Sequence, residues 1–411
     1  MKDFKNYKIC LKFGISLKKY SFLLKRYRGL SLCPIIFTFI YSILFFSSCS
    51  GISLSQRIII RDKDWLMCGG SPLQQNVSKY VLAPPFNLMW TYDCDAGIGN
   101  AAVTASDAVI FVNTLNGEMH SIDLLSGKRI GYLSFLGGEA STAPLIIQDG
   151  VIVSYSGDNK YSLASYDLLS RRIDWRINLG YIQTSPILAD DYIYIGSLDG
   201  REYKIRPSAG NIIWDFNAKS QIHSTCAIKD NKLVFGADNG FIYCLNTNDG
   251  TELWKFKTGE SIVSAPLIFD NDVYFGSYDS VYYAINLDSG KVKWQNNLKT
   301  KFYSGSALYE NKSIIAGGID GILYSLDVND GHVIWNYRTN GVIQCTPLVS
   351  GKNVYFTSFD WYLYCLDCDS GKMLWNYQLD GKGRTTPVIW KDYLFVPADK
   401  YIYCFTKNEV K

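Results

Sequence analysis

Residues 286–294 read Asn-Leu-Asp-Ser-Gly-Lys-Val-Lys-Trp, and residues 367–375 read Asp-Cys-Asp-Ser-Gly-Lys-Met-Leu-Trp. The same frame recurs at 246–254 and 327–335. Tryptophans fall at 175, 214, 254, 294, 335 and 375, in steps of 39, 40, 40, 41 and 40. Every one but the first has a glycine four residues earlier, at 210, 250, 290, 331 and 371. A period near 40 residues marks a repeated supersecondary unit that cannot bury its apolar face alone and must stack on its neighbours.

Outward from Trp294, one unit resolves into four short β-type runs. They are Ser-Ile-Val-Ser-Ala-Pro-Leu-Ile-Phe (261–269), Asp-Val-Tyr-Phe-Gly (272–276), Val-Tyr-Tyr-Ala-Ile-Asn (281–286) and Lys-Val-Lys-Trp-Gln (291–295). Each is rich in β-branched or aromatic residues and bounded by Asp, Asn, Gly or Ser. Asp199-Gly200, Asn239-Gly240 and Asp320-Gly321 are hairpin signals, because these residues tolerate positive φ. No window sustains a helical period. Four-stranded units repeated radially predict an all-β chain, an eight-bladed β-propeller with four-stranded antiparallel blades.

The count of eight rests on inner-strand motifs near Ala102, Pro144, Pro186, Cys226, Pro266, Ser306, Pro347 and Pro387. A worn copy keeps Gly127 but has Gly131 in the tryptophan slot, and Arg171 replaces the glycine before Trp175. The last unit stops near Phe405 without its tryptophan strand. Asn-Leu-Met-Trp-Thr-Tyr around Trp90 supplies it, so the N-terminal strand is expected to close the ring and remove two unpaired edges.

Aromatics make up 15% of the 411 residues and charged groups only 19%, a composition that suits a large β core. The formal charge of +3 belongs to the N-terminus. Nine of the 41 basic residues and one of the 38 acidic residues fall in 1–48, leaving 32 against 37, a balance of about −5 for 49–411. An acidic chain without a Lys/Arg cluster is not a nucleic-acid binder.

The basic leader is followed by the apolar run 34–46, then Ser47, Ser48 and Cys49. Thirteen apolar residues suit a signal peptide better than a membrane span, which takes about 20. The run into Cys49 resembles the lipobox of bacterial lipoproteins, although Phe46 stands where Leu is usual. The expected organisation is a signal peptide (1–48), a tether (49–85) carried on a lipid at Cys49, the propeller (86–405) and a tail (406–411).

The Asp/Asn-x-x-x-Gly-x-x-x-Trp frame resembles the PQQ-like, or quinoprotein-type, propeller repeat over about residues 86–405. In that family the tryptophan docks on the neighbouring blade, a role that falls here to Trp90, Trp175, Trp214, Trp254, Trp294, Trp335 and Trp375. Eight such blades on a lipid-anchored tether most resemble the BamB-type lipoproteins of outer-membrane β-barrel assembly. That resemblance implies a non-catalytic scaffold in the cell envelope, at the outer membrane and facing the periplasm, whose partner is the barrel-forming assembly subunit. No individual contact residue carries over.

Quinoprotein dehydrogenases resemble the fold but add adjacent cysteines and a calcium beside a catalytic Asp. No two cysteines here are adjacent, and neither a cofactor nor an enzyme activity is expected. His120, His223 and His332 lie in separate units, at no zinc-ligand spacing, so no metal site is expected. Cys365 and Cys368 form a Cys-x-x-Cys, but Cys365 fills a small strand slot held elsewhere by Ala284, Cys244 and Cys404, which packing explains. The acids at 158, 199, 238, 279, 320 and 360 recur once per unit in the same hairpin, as turn formers.

Two places break the repeat in ways that suggest function. A residue just before each inner strand should face the central funnel, giving Gln183, His223, Tyr303, Gln344 and Arg384 as candidate ligand-binding groups, with Ser141 and Val263 between them. They support the alternative of a binding module for a small molecule or polysaccharide. Trp361 replaces a hairpin glycine in Ser-Phe-Asp-Trp-Tyr, and with Phe359 it is the candidate protein contact. A tryptophan folded onto the adjacent blade is the other reading.

Overall fold

The computed structural model describes residues 51–52, 54, 57–99, 103–134, 138–156 and 160–407. The expected signal peptide, Cys49 and Asp158 lie outside these residues. Among those described, 32 strands form eight four-stranded antiparallel sheets and there is no helix. Seven sheets take four consecutive strands. Blade one is β2 (Thr104–Ser106), β3 (Val109–Asn113), β4 (Glu118–Asp123) and β5 (Arg129–Ser134), and blade five is β18 (Leu267–Phe269), β19 (Asp272–Gly276), β20 (Val281–Asn286) and β21 (Val292–Asn297). Short inner strands and longer outer ones follow from the sequence. The inner runs are cut by prolines and hydroxyl residues, whereas the outer ones carry the tryptophan.

The eighth blade closes the ring. Its strands β30 (Val388–Trp390), β31 (Tyr393–Ala398) and β32 (Tyr401–Thr406) pair with β1 (Asn87–Asp93), from Asn87 opposite Thr406 to Asp93 opposite Tyr401. Strand β32 thus runs one residue into the expected tail.

The periodic glycine and tryptophan are two halves of one contact. Each indole N–H donates to a backbone carbonyl of the next blade: Trp90 to Leu124 (2.9 Å), Trp214 to Thr247 (2.9 Å), Trp254 to Leu287 (2.8 Å), Trp294 to Val328 (3.0 Å) and Trp335 to Cys368 (2.7 Å). Trp175 does the same to Pro207 at 2.6 Å. The turn glycine of that next blade lies against the indole face. A Cβ on Gly290 would meet Trp254 at 2.8 Å, and one on Gly371 would meet Trp335 at 2.7 Å. Both glycines also hold φ near +66° to +69°, so they are fixed twice, by backbone conformation and by the absence of a side chain. Trp375 faces a blade without this turn and instead meets Phe86 edge-on, ring centroids 5.2 Å apart.

The worn copy now has a physical account. Blade one has Gly131 instead of the tryptophan, and blade two has Arg171 instead of the glycine that would have faced it. The vacated groove is filled by the N-terminal chain. Gly51 bridges Tyr132, a Cβ on Gly131 would collide with the Gly51 carbonyl, and Ile52 is fully buried. The Tyr166 hydroxyl accepts from the Ile52 N–H (3.2 Å) and donates to its carbonyl (3.3 Å).

Residues 62–79, expected as part of a tether, make a hoop inside the ring. Asp64 accepts from the Trp390 indole of blade eight (2.7 Å) and the Ser106 hydroxyl of blade one (2.6 Å). Trp65 pairs with Ala105 of blade one, and the Ile146 N–H of blade two donates to Leu66. Met67 shares an apolar cluster with Ile187 of blade three. Backbone N–H groups of Ile228, Ile268, Leu308 and Val349, in blades four to seven, then donate to Pro72, Leu73, Gln75 and Asn76 in turn. Asp62 and Lys79 meet at 2.7 Å and close the circuit. The inner-strand edges, whose backbone groups face the channel unpaired within the blade, draw the segment in. Gly69 and Gly70, which composition marks as flexible, instead turn the hoop with φ of +74° and +71°.

Candidate functional site

The hoop bonds to Ile228 in β14 (Ala227–Lys229), whereas His223 stands in the connection that precedes this strand. One end of the central channel is lined by the hoop, and the other is open. The open end is a cup of about 520 Å³. Gln183, His223, Tyr303, Gln344 and Arg384 all line it, as do Ser141 and Val263, so the structure brings the funnel candidates together in one cavity.

Three further lining residues were not singled out for the funnel. Asp238 belongs to the series of hairpin acids, but its carboxylate stands 3.0 Å from Nδ1 of His223. The turn slot itself is held in this blade by the next residue, Asn239, whose side chain donates to the Tyr243 hydroxyl four residues on (3.0 Å). Asp279, Asp320 and Asp360 each accept from the tyrosine hydroxyl four residues on, at 2.8 Å. Tyr278 lies on the wall, and burial pushes its phenol up to about 12. Cys68 rises from the hoop into the cup beside Ser185, and burial pushes its thiol up to about 11. A tether reading of 49–85 hid it, since no sequence period places a segment inside a ring.

Behind the wall lies a group with no sequence precedent in the repeat. Glu202 in β12 (Arg201–Ile205) occupies the slot of Met119, Ile242, Tyr282, Leu323, Leu363 and Ile402. It is fully buried beside the Cys226 thiol, and its oxygens lack a hydrogen-bond partner among the described residues. Burial pushes its carboxyl up to about 8.

The second candidate, Phe359 with Trp361, sits on the same face as the cup. Trp361 is 47% exposed and holds φ +73°, a left-handed conformation that costs a bulky residue roughly 1–2 kcal/mol. Lys382 Nζ and Arg384 Cζ lie 5.4 and 5.3 Å from the centre of the Phe359 ring. Arg384 thus joins the aromatic hairpin to the cup mouth, and two features that sequence treats separately form one surface.

All eight cysteines among the described residues are free, and burial pushes the thiols of both Cys365 and Cys368 up. Cys368 lies in the turn after the strand and is buried against blade six, where its carbonyl receives the Trp335 indole. His120 is buried between the Tyr92 hydroxyl (2.8 Å) and Glu118 (2.9 Å), and burial lowers its pKa. Asp327, Asp330 and His332 bring ligand atoms within 4.8 Å of one another in a surface turn, where Asp330 is already bonded to the His332 N–H and ring.

Eight four-stranded blades, tryptophan docking and the Asp/Asn-x-x-x-Gly-x-x-x-Trp frame define a quinoprotein-type propeller. Residues 87–216 and 203–409 match the family described as outer membrane protein assembly factor BamB, and the chain belongs to that family. Among solved structures it is similar to BamB from Moraxella catarrhalis, at 13% identity and TM-score 0.64, over 78% of this chain and all of that one. It is also similar to the computationally designed Ika8 protein (14%, TM-score 0.65, 80% of this chain and 99% of that one). A third similar structure is the quinohemoprotein alcohol dehydrogenase ADHIIG from Pseudomonas putida HK5 (12%, TM-score 0.71, 85% of this chain and 81% of that one). At these identities the likeness is one of fold. No curated protein matches the sequence.

Proposed function

We propose that this chain is a non-catalytic interaction scaffold of the bacterial cell envelope, serving outer-membrane β-barrel assembly. In this reading residues 1–48 direct export and acyl chains on Cys49 hold the propeller at the outer membrane, facing the periplasm. The partner is the barrel-forming assembly subunit, met by the face that carries Trp361, Phe359, Lys382 and Arg384. The observation that carries the reading is Trp361 itself: a large aromatic held half-exposed at a left-handed position, where neighbouring repeats use Gly200, Gly240 and Gly321. Exposed Trp and Arg are the residue types that dominate binding energies at protein interfaces. Family membership supports the same class of role.

Cross-linking in intact cells, followed by purification of the tagged protein, tests the proposal. A barrel-assembly protein should be recovered with the native chain and lost with Trp361→Ala. Recovery of no envelope protein at saturating cross-linker overturns it.

A further inference from the structure

The hoop lines one end of the channel and leaves a cup at the other, and the composition of the cup wall selects what can enter. We propose that the cup is a binding site for a small acidic saccharide, a sugar ring bearing one carboxylate, which shares Arg384 with the protein contact at the rim but not Trp361.

Three observations carry this. The wall is polar and apolar in nearly equal measure, and its polar part is hydroxyl and amide, from Ser141, Gln183, Gln344 and Thr346 among others. An apolar ligand would strip water from these groups and leave them unpaired, whereas a polyhydroxylated one replaces that water bond for bond. Charged side chains are few on this wall: Arg384 on one side, His223 with Asp238 across from it, and the exposed Glu139. Arg384 precedes the inner strand of blade eight and His223 that of blade four, half the ring apart. No ion pair among the described residues involves Arg384. Its guanidinium rests on the Phe359 ring with its donors free for a carboxylate, the anion that its planar fork fits. Across the cup, Asp238 is bonded to His223 through one carboxylate oxygen, so the other oxygen and the far ring nitrogen face sugar hydroxyls. Finally, Tyr278 and Tyr303 contribute flat faces to the wall beside the hydroxyl groups, as a sugar ring requires.

The volume of about 520 Å³ holds a mono- or disaccharide. What enters is either a free sugar acid or the end of an acidic chain.

Titration calorimetry of the protein with D-glucuronate tests the inference, with D-glucose and acetate as controls. Saturable one-to-one binding is expected, at least tenfold tighter than for either control. Arg384→Gln and Asp238→Asn should each weaken it at least tenfold with unchanged thermal melting. Cys68, the only described cysteine that is not fully buried, supplies a second readout, since bound glucuronate should slow its alkylation by N-ethylmaleimide. An acidic trisaccharide separates the two sources: binding equal to that of glucuronate indicates a chain end, and binding by the monosaccharide alone indicates a free solute. Absence of saturable binding up to about 10 mM, a range that still registers weak ligands, overturns the proposal. So does affinity equal to that for D-glucose, or affinity that Arg384→Gln leaves unchanged. Trp361→Ala should leave glucuronate binding intact and Asp238→Asn should leave partner capture intact, so this inference and the scaffold reading fail separately.

Discussion

Blades three to seven and the sector formed by blades eight, one and two are built from one repeat but held together differently. In the first region each junction is a tryptophan of one blade against a glycine of the next, both supplied by the repeat. In the second, the contact of Trp90 with Gly127 keeps that form, and chain from outside the repeat serves two other junctions. Gly51 and Ile52 fill the groove between Gly131 and Arg171, Phe86 packs on Trp375, and β1 completes blade eight. Gly131 and Arg171 stand in the facing Trp and Gly slots of one junction, so the two departures from the repeat belong together structurally. A repeat protein can let a junction decay when a distant segment can occupy it, and the ring then depends on that segment.

The largest effect should come from removing the N-terminal packing altogether. A chain starting at residue 80 loses Trp65, Met67 and Asp64 from buried positions, together with Ile52 and the edge bonds of six inner strands. At about 1.5–3 kcal/mol for each large buried side chain, the loss is roughly 5 kcal/mol or more, comparable to the stability of many domains. Thermal unfolding followed by circular dichroism should show a broad, early transition. A sharp transition within a few degrees of the intact protein would break the comparison.

Glu202 tests whether the regular region is as uniform as it looks. Its carboxyl is raised to about 8 when folded and is near its ordinary value of 4.5 when unfolded. The folded chain therefore binds the proton more tightly. The stability this contributes is complete below about pH 4.5 and is lost as pH rises through 8. Glu202→Met, which installs the residue that blade one uses at Met119, should flatten this dependence. The variant should gain on the order of a few kcal/mol at pH 8 and little at pH 5, measured by denaturant unfolding at both. An unchanged pH slope would show that water or a neighbour already satisfies the carboxylate.

Paired substitutions then address the junctions directly. Gly290→Val forces a β-branched residue to φ +66° and into Trp254, and should cost about 2–4 kcal/mol. Arg171→Gly, at the matching place in the worn junction, should change stability by less than about 1 kcal/mol, because no indole faces it. A loss of less than about 1 kcal/mol for Gly290→Val in urea unfolding would mean that the junction does not depend on the glycine.

The sequence displays the ring because the ring is periodic. Forty-residue spacing, the Gly-x-x-x-Trp frame and the incomplete last unit lead to eight blades and to closure through Trp90, which β1 carries out. The cup is legible for the same reason: residues one step before each inner strand must converge on the axis, and Gln183, His223, Tyr303, Gln344 and Arg384 do. What escapes is whatever occurs once. The hoop has no period, and its polar, Gly-rich composition matches that of a linker, so nothing local distinguishes it from a tether. Asp238 stands one residue before the turn-capping slot, which Asn239 fills, and the placement of His223 beside it gives it its role.

Trp361 gives the smallest effect on stability and the clearest separation of fold from function. Its left-handed backbone is where Gly200, Gly240 and Gly321 sit in other blades, at φ +74° to +84°. Trp361→Gly removes that backbone cost of roughly 1–2 kcal/mol and forfeits the contacts of a side chain that is half exposed, so a net gain of up to about 1 kcal/mol is expected. The same substitution should abolish partner capture, because the aromatic surface beside Phe359 is gone. A more stable variant that no longer binds would place the tryptophan among residues kept at the expense of the fold. A variant that loses more than about 1 kcal/mol and still captures the partner would mean that the indole packs for its own blade, and the interface would then have to lie elsewhere on the ring.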